Sequence, residues 1–98
     1  MRKEVEEFAE MMEYKLDLHD DRPGWKETDP AWLLAQLKEE VAEVEKALQD
    51  RGGGWLTKLR LECADVGNFA MMVQDAVLYQ WAKKKAEEYA PAWVGGSR

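Results

Sequence analysis

The 98-residue sequence contains a single cysteine and a single histidine. Cys63 alone can form no disulfide within the chain and no thiolate zinc site, and His19 alone excludes metal sites built from several histidines. No apolar run approaches the ~20 residues that are needed to span a bilayer. The N-terminal sequence MRKEVEEF is too acidic for a signal peptide. These absences predict a soluble cytoplasmic protein without a membrane partner.

Positive charge is also scarce. The sequence has 14 lysine and arginine residues and 20 aspartate and glutamate residues, which gives a net charge of −6. Nucleic acid is therefore not expected as a partner, since a phosphate backbone requires a basic surface. A nucleotide whose phosphates are carried by metal ions is compatible with this charge. With 46% hydrophobic and 35% charged residues, the composition is typical of a globular protein, and the length suits one domain over residues 1–98.

Apolar residues recur with helical spacing in three segments that proline or glycine separates. The first segment covers about residues 2–18 and is followed by a loop. The second has Thr28 or Asp29 as its N-cap and Pro30 in its first turn, and it ends at glycines 52–54. No window alternates with a period of two, so the pattern predicts helices and no strand.

The third segment is apolar on almost every side. It begins near Trp55 or Leu56, and it either continues to Tyr89 or turns near Gln80 into a short fourth helix. A helix that is apolar all round is buried all round, and two neighbouring helices cannot easily cover it. We therefore expect an all-α bundle of three long helices, with a possible short fourth, that assembles into a homodimer or homotetramer. Residues 92–98 are expected to fray.

Four glutamates lie within seven residues of the second helix, and a helical wheel separates them into two pairs. Glu40 and Glu43 fall together on the shoulder of the buried face, whereas Glu39 and Glu45 point to solvent. An E-x-x-E spacing alone more often marks a solvated helix face than a metal site. The interpretation therefore depends on the neighbouring helix.

The third helix repeats this arrangement with Glu62 and Asp65, which stand three residues apart in an otherwise apolar stretch. If the two helices pack antiparallel, the two acidic pairs face each other. Four such carboxylates would repel one another and some would take up protons. Magnesium would relieve the repulsion, because it binds oxygen ligands and leaves coordination positions free for phosphates.

The sequences LLAQLKEEVAEVEKAL and ECADVGNFAMM together resemble the MazG-like superfamily of all-α nucleoside triphosphate pyrophosphohydrolases. The hallmark of that superfamily, E-E-x-x-E followed by E-x-x-D, falls on Glu39, Glu40, Glu43, Glu62 and Asp65. The similarity covers roughly residues 8–78, and KLDLHDDRPGW is also similar to a segment of small stand-alone members. The larger insertions of the dUTPase branch are lacking, which argues against strict dUTP specificity.

The resemblance implies a function and a set of site residues. The reaction would be hydrolysis of an NTP or dNTP between the α and β phosphates, which yields a monophosphate and pyrophosphate. Magnesium would be required, with Mn²⁺ as a possible substitute. The metal ligands and catalytic residues would be Glu40, Glu43, Glu62 and Asp65, in a dimer or tetramer.

Several residues near the first loop are candidates for substrate binding. Lys15 and Lys26 flank this loop and could contact phosphates, although most such lysines are solvated surface charges. Trp25 could stack on a base or cover the end of the bundle. His19 lies in the same loop and could contact the ligand.

On the third helix, Asn68 lies one turn past Asp65, and the family interpretation places an asparagine there near sugar or phosphate. Phe69 could pack beneath the base, with core packing as its alternative role. Two other functions stay open for the chain. It could be a non-catalytic helical interaction module, or a degenerate family member that binds nucleotide without turnover.

Overall fold

A computed structural model describes residues 1–19 and 24–89 of the chain. These residues form three α-helices, which are α1 (Lys3–Asp17), α2 (Pro30–Gln49) and α3 (Trp55–Glu88). No strand occurs in the described residues, so the all-α prediction is confirmed. Among the described residues, none of the helices combines the length and the apolar character that a membrane-spanning segment requires.

The helix boundaries follow the local signals in the sequence. The side chain of Asp29, the N-cap of α2, accepts a hydrogen bond from the backbone N–H of Ala31 at 2.9 Å, which satisfies a free donor of the first turn. Before α3, Gly54 has a φ of 76°, in the left-handed region that favours glycine. α3 continues through Gln80 without a break, so the described residues contain no separate fourth helix. The expected fraying of residues 92–98 lies outside the described residues.

α1 and α2 each pack against α3 and make no close backbone contact with each other. α2 runs antiparallel to α3, because Thr28 contacts Gln80 while Glu40 lies beside Glu62. This antiparallel arrangement is the one that the acidic pairs require in order to meet. A single long helix therefore carries contacts to both of the others.

α1 approaches α3 closely at Gly67. A Cβ atom at this position would lie 2.8 Å from Cε2 of Phe8 and 3.3 Å from Sδ of Met12. On the next residue, Asn68 Nδ2 donates a hydrogen bond to the carbonyl oxygen of Met12 at 3.0 Å, and Asn68 is only 4% exposed. Its Oδ1 atom is buried without a hydrogen-bond partner among the described residues. Asn68 thus holds α1 against α3.

The core is small for a chain of this length. Its buried apolar residues are Leu33, Ala47, Ala64 and Ala76. The radius of gyration is 18.2 Å, whereas a compact domain of 100 residues has a value of about 13 Å. Many large apolar side chains of α2 and α3 are consequently exposed in the single chain.

Leu33 is the residue on which this small core depends most, since it is 2% exposed and larger than the buried alanines. We expect Leu33→Ala to lower the free energy of unfolding by about 2–5 kcal/mol, because it removes buried methyl groups and leaves a cavity. Leu18→Ala is the matched control, since Leu18 is 53% exposed, and it should cost less than about 1 kcal/mol. Urea unfolding followed by circular dichroism measures both changes. Equal losses in the two variants would contradict this description of the core.

Candidate functional site

Three carboxylates from two helices meet on one side of the α2–α3 hairpin. Glu40, Glu62 and Asp65 each offer one carboxylate oxygen, and these three oxygens all lie within 4.8 Å of one another. All three residues are half-buried. We call this set the acidic triad. It contains three of the four acidic residues that the sequence places in a metal site.

Glu43, the fourth of these residues, is exposed and does not belong to the acidic triad. It lies close enough for its charge to contribute to the raised pKa of Glu40. Glu43 lies about 60° further round α2 than Glu40, and at this packing of α2 on α3 its side chain is exposed. A role for Glu43 as a metal ligand stays a prediction.

The environment of Glu40 raises the pKa of its carboxyl group to about 7. Burial is the largest cause, followed by the negative charges of Asp65 and Glu62. A hydrogen bond with the Glu62 side chain and the charge of Glu43 add to the effect. Near neutral pH, Glu40 therefore carries a proton in a substantial fraction of molecules, and this proton reduces the repulsion within the acidic triad.

α1 places a positively charged side chain, Lys15, next to the acidic triad. Lys15 Nζ lies 3.2 Å from Oδ2 of Asp65, and the two side chains are only 19% and 21% exposed. The sequence suggests Lys15 as a phosphate contact, and the structure places it directly at the acidic triad. The ion pair offsets part of the excess negative charge there.

The acidic triad suits a hard divalent cation. Its donors are all carboxylate oxygens, which are the ligands that Mg²⁺ prefers. Oxygens bound to one Mg²⁺ lie roughly 3–4 Å apart, so oxygens that already lie within 4.8 Å of one another need only small side-chain movements. A cation would also replace the proton that Glu40 otherwise takes up.

A cavity of about 410 Å³ lies between α1, α2, α3 and the segment before α2. Aromatic and apolar side chains dominate its walls, among them His19, Trp25, Trp32, Phe69 and Met72. Phe69 lies one helical turn after Asp65, so the cavity adjoins the acidic triad. Its volume lies in the range of small-molecule sites. The structure thus brings together His19, Trp25 and Phe69, while their contact with a substrate stays a prediction.

The remaining two candidates have structural partners outside this cavity. Lys26 Nζ lies 2.7 Å from Oδ2 of Asp75 and 5.6 Å from the centre of the Tyr79 ring. Asn68 faces Met12 of α1, as described above. Any contact of these two side chains with substrate stays a prediction.

Two residues that shape the site, Asp75 and Gln80, were not predicted from the sequence. Asp75 accepts hydrogen bonds from Trp25 and Lys26, and Gln80 donates to the carbonyl oxygens of Lys26 and Thr28. The available signal is the acidic residue within the apolar run MMVQDAVLY, because a carboxylate in such a position requires a partner. The identity of that partner is not encoded locally, since it lies 50 residues away.

The raised pKa of Glu40 predicts that cation binding depends on pH. Because the pKa of Glu40 is about 7, protons compete with the cation for this carboxylate at lower pH. The apparent affinity for Mg²⁺ should therefore be about tenfold weaker at pH 6 than at pH 8. Thermal unfolding at increasing Mg²⁺ concentrations gives the affinity at each pH. Glu39→Gln, on the exposed face of the same helix, should leave the difference intact. An affinity that is the same at both pH values would contradict the assignment.

The same pKa has a consequence for stability without metal. The folded-state pKa of Glu40, about 7, lies above its ordinary value of 4.5, so between these values the folded protein binds more protons than the unfolded chain. The contribution of this group to stability therefore falls as the pH rises from 4.5 through 7.

The chain matches no protein-family model, no curated protein and no solved structure.

Proposed function

We propose that this chain is a Mg²⁺-dependent nucleoside triphosphate pyrophosphohydrolase, which converts an NTP or dNTP into the monophosphate and pyrophosphate. The observation that carries the proposal is the acidic triad, in which two helices bring three carboxylate oxygens within 4.8 Å of one another. Such a cluster is unfavourable without a counter-charge. A divalent cation would supply that counter-charge and bind the phosphates of the substrate, and the aromatic cavity alongside would accept the base.

In this proposal Glu40, Glu62 and Asp65 hold Mg²⁺ or Mn²⁺, with Glu43 at the edge of the site. The bound ion would neutralise phosphate charge and make water a better nucleophile. Lys15 would contact a phosphate, since its ammonium group already lies beside Asp65 and charge-assisted bonds to phosphate are strong.

The nucleoside part of the substrate would occupy the cavity of about 410 Å³. Trp25, Trp32 and Phe69 provide flat apolar surfaces on which a base can stack, and stacking on aromatic side chains tolerates any base. Because Phe69 follows Asp65 by one turn of α3, a base in the cavity would leave its phosphates next to the acidic triad. His19 lines the same cavity and could contact the base or the sugar.

The test is pyrophosphate release from a panel of canonical and modified triphosphates, with and without Mg²⁺. We expect Mg²⁺-dependent release, with monophosphate and pyrophosphate as the products on ion-exchange chromatography. Formation of diphosphate and phosphate would contradict cleavage between the α and β positions. Nucleotide binding without any release would instead identify a degenerate family member.

We further propose that the working form is a homodimer or homotetramer. On α2, Leu34, Val41 and Leu48 repeat at intervals of seven residues and are 41%, 43% and 45% exposed. On α3, Ala70 and Val77 are also exposed and also seven residues apart. We propose that these five residues form one surface, and we call it the apolar face. Such heptad spacing is typical of helices that pack against other helices.

The position of the apolar face is compatible with an active site in the same chain. On α2, its three residues lie about 100° round the helix from Glu40. A second copy packed on the apolar face would therefore add apolar burial without covering the acidic triad. The apolar face is also the observation that favours the alternative function, a non-catalytic interaction module. Such a module would gain no thermal stability from Mg²⁺ beyond ionic screening.

A further inference from the structure

The segment of residues 24–29, which supplies one wall of the cavity, is attached to α3 by side chains that are not part of the acidic triad. Asp75 Oδ2 accepts hydrogen bonds from Trp25 Nε1 at 2.8 Å and from Lys26 Nζ at 2.7 Å. One turn further along α3, Gln80 Nε2 donates to the carbonyl oxygens of Lys26 and Thr28 at 2.9 and 2.8 Å. Both Trp25 and Thr28 line the cavity.

The bond to Asp75 determines how the Trp25 ring is oriented. An indole has one hydrogen-bond donor, Nε1, so a bond from this atom to Asp75 anchors the Nε1 edge of the ring and restrains its orientation. Asp75 is ionised at neutral pH, because the hydrogen bonds from Lys26 and Trp25 lower the pKa of its carboxyl group. Charge-assisted hydrogen bonds of this kind are stronger than neutral ones.

We propose that Asp75 is a positioning residue for the nucleoside part of the substrate, because it holds the Trp25 indole in place as a wall of the cavity. This inference rests on the proposed function, since it assumes that a base enters the cavity. Asp75 would set the affinity for the nucleoside without contacting nucleotide or metal. Lys26 acts in the same arrangement as the second donor to Asp75.

The effect of Asp75 should be separable from the phosphate site. Asp75 follows Asp65 by ten residues, which places it about 15 Å further along α3. A change at Asp75 should therefore weaken binding of the nucleoside and leave binding of metal-bound phosphates unchanged. A general loss of structure would weaken both.

The experiment compares two probes by calorimetry in the presence of Mg²⁺. The first is the set of four α,β-methylene deoxynucleoside triphosphates, and the second is inorganic tripolyphosphate, which has no base. For Asp75→Ala we expect about tenfold weaker binding of the analogues, as for the loss of one stacking partner. Tripolyphosphate binding should stay within about twofold of the wild type, because the two sites are independent. Gln74→Ala, at an exposed neighbouring position, is the control and should change neither.

A second variant tests the proposed route through Trp25. Trp25→Phe keeps an aromatic wall but lacks the Nε1 donor, so it should also weaken analogue binding selectively. If Asp75 acts through Trp25, the double variant should bind the analogues no more weakly than Asp75→Ala alone. Asp75→Asn, which keeps a carbonyl acceptor, replaces Asp75→Ala should that variant not fold, and it should show a smaller loss in the same direction.

Each outcome bears on one hypothesis. Selective loss of analogue binding supports the role of Asp75. Two outcomes for Asp75→Ala overturn that role and leave the proposed function intact: wild-type affinity for both probes, or an equal loss of affinity for both probes. Failure of the wild-type protein to bind either probe contradicts the proposed function itself.

Discussion

Glu62→Gln is expected to reduce Mg²⁺-dependent pyrophosphate release by at least about 100-fold, because even residues that only support metal ligands contribute 10–100-fold to metal affinity or activity. Glu62 offers an oxygen to the acidic triad and accepts a hydrogen bond from the protonated Glu40 side chain. The amide of glutamine carries no charge and is a much weaker ligand for Mg²⁺. Initial rates at saturating triphosphate and a range of Mg²⁺ concentrations measure the effect.

The same substitution should not destabilise the protein in the absence of metal. Removing one charge relieves part of the repulsion that raises the pKa of Glu40, so the melting temperature of Glu62→Gln without Mg²⁺ should equal or exceed that of the wild type at pH 8. This distinguishes loss of a metal ligand from loss of the fold.

Two changes serve as controls for Glu62→Gln. Glu39→Gln removes a charge from the exposed face of α2 and should leave activity within about twofold of the wild type. Glu43→Gln tests the fourth predicted ligand and should have a smaller effect than Glu62→Gln, because Glu43 lies outside the acidic triad. Full activity of Glu62→Gln would contradict the proposed function.

The second large effect concerns assembly. We expect Ala70→Glu to raise the dissociation constant of the proposed homo-oligomer on the order of 10³-fold, because it would place an unpaired charge in the proposed apolar interface. Sedimentation velocity over a range of protein concentrations measures the change. The melting temperature should fall as the assembly dissociates, since the single chain has so small a core.

Ala35→Glu is the matched control for Ala70→Glu, because it introduces the same side chain at an exposed position of α2. Ala35 lies on the opposite side of α2 from Glu40 and Val44 and outside the apolar face. It should leave the oligomeric state unchanged. A wild-type protein that is monomeric at all concentrations would contradict self-association and would favour a different partner for the apolar face.

The all-α fold and the acidic residues Glu40, Glu62 and Asp65 of the triad could be predicted because they depend on short-range pattern. Helix boundaries follow from Asp29 and Pro30, and a wheel separates Glu40 from Glu39 because consecutive helical residues differ by 100°. The wheel could not decide about Glu43, because it gives a direction around one helix and no distance to the next.

The contacts that complete the site could not be predicted in this way. The pairing of Lys15 with Asp65 depends on how α1 crosses α3, which Gly67 permits through close approach. The bond between Trp25 and Asp75 joins residues 50 positions apart, and the path of the intervening chain determines it. Lys26 was a candidate only because of its charge, and its carboxylate partner, Asp75, could not be identified from the sequence.

The most direct test of the account is a crystal structure of the protein with Mn²⁺, located by anomalous scattering. Manganese suits the same oxygen ligands as magnesium. We predict an anomalous peak with carboxylate oxygens of Glu40, Glu62 and Asp65 within about 2.5 Å of it. Crystals soaked in Mn²⁺ that show these three side chains apart, with no peak between α2 and α3, would contradict the metal site and with it the proposed reaction.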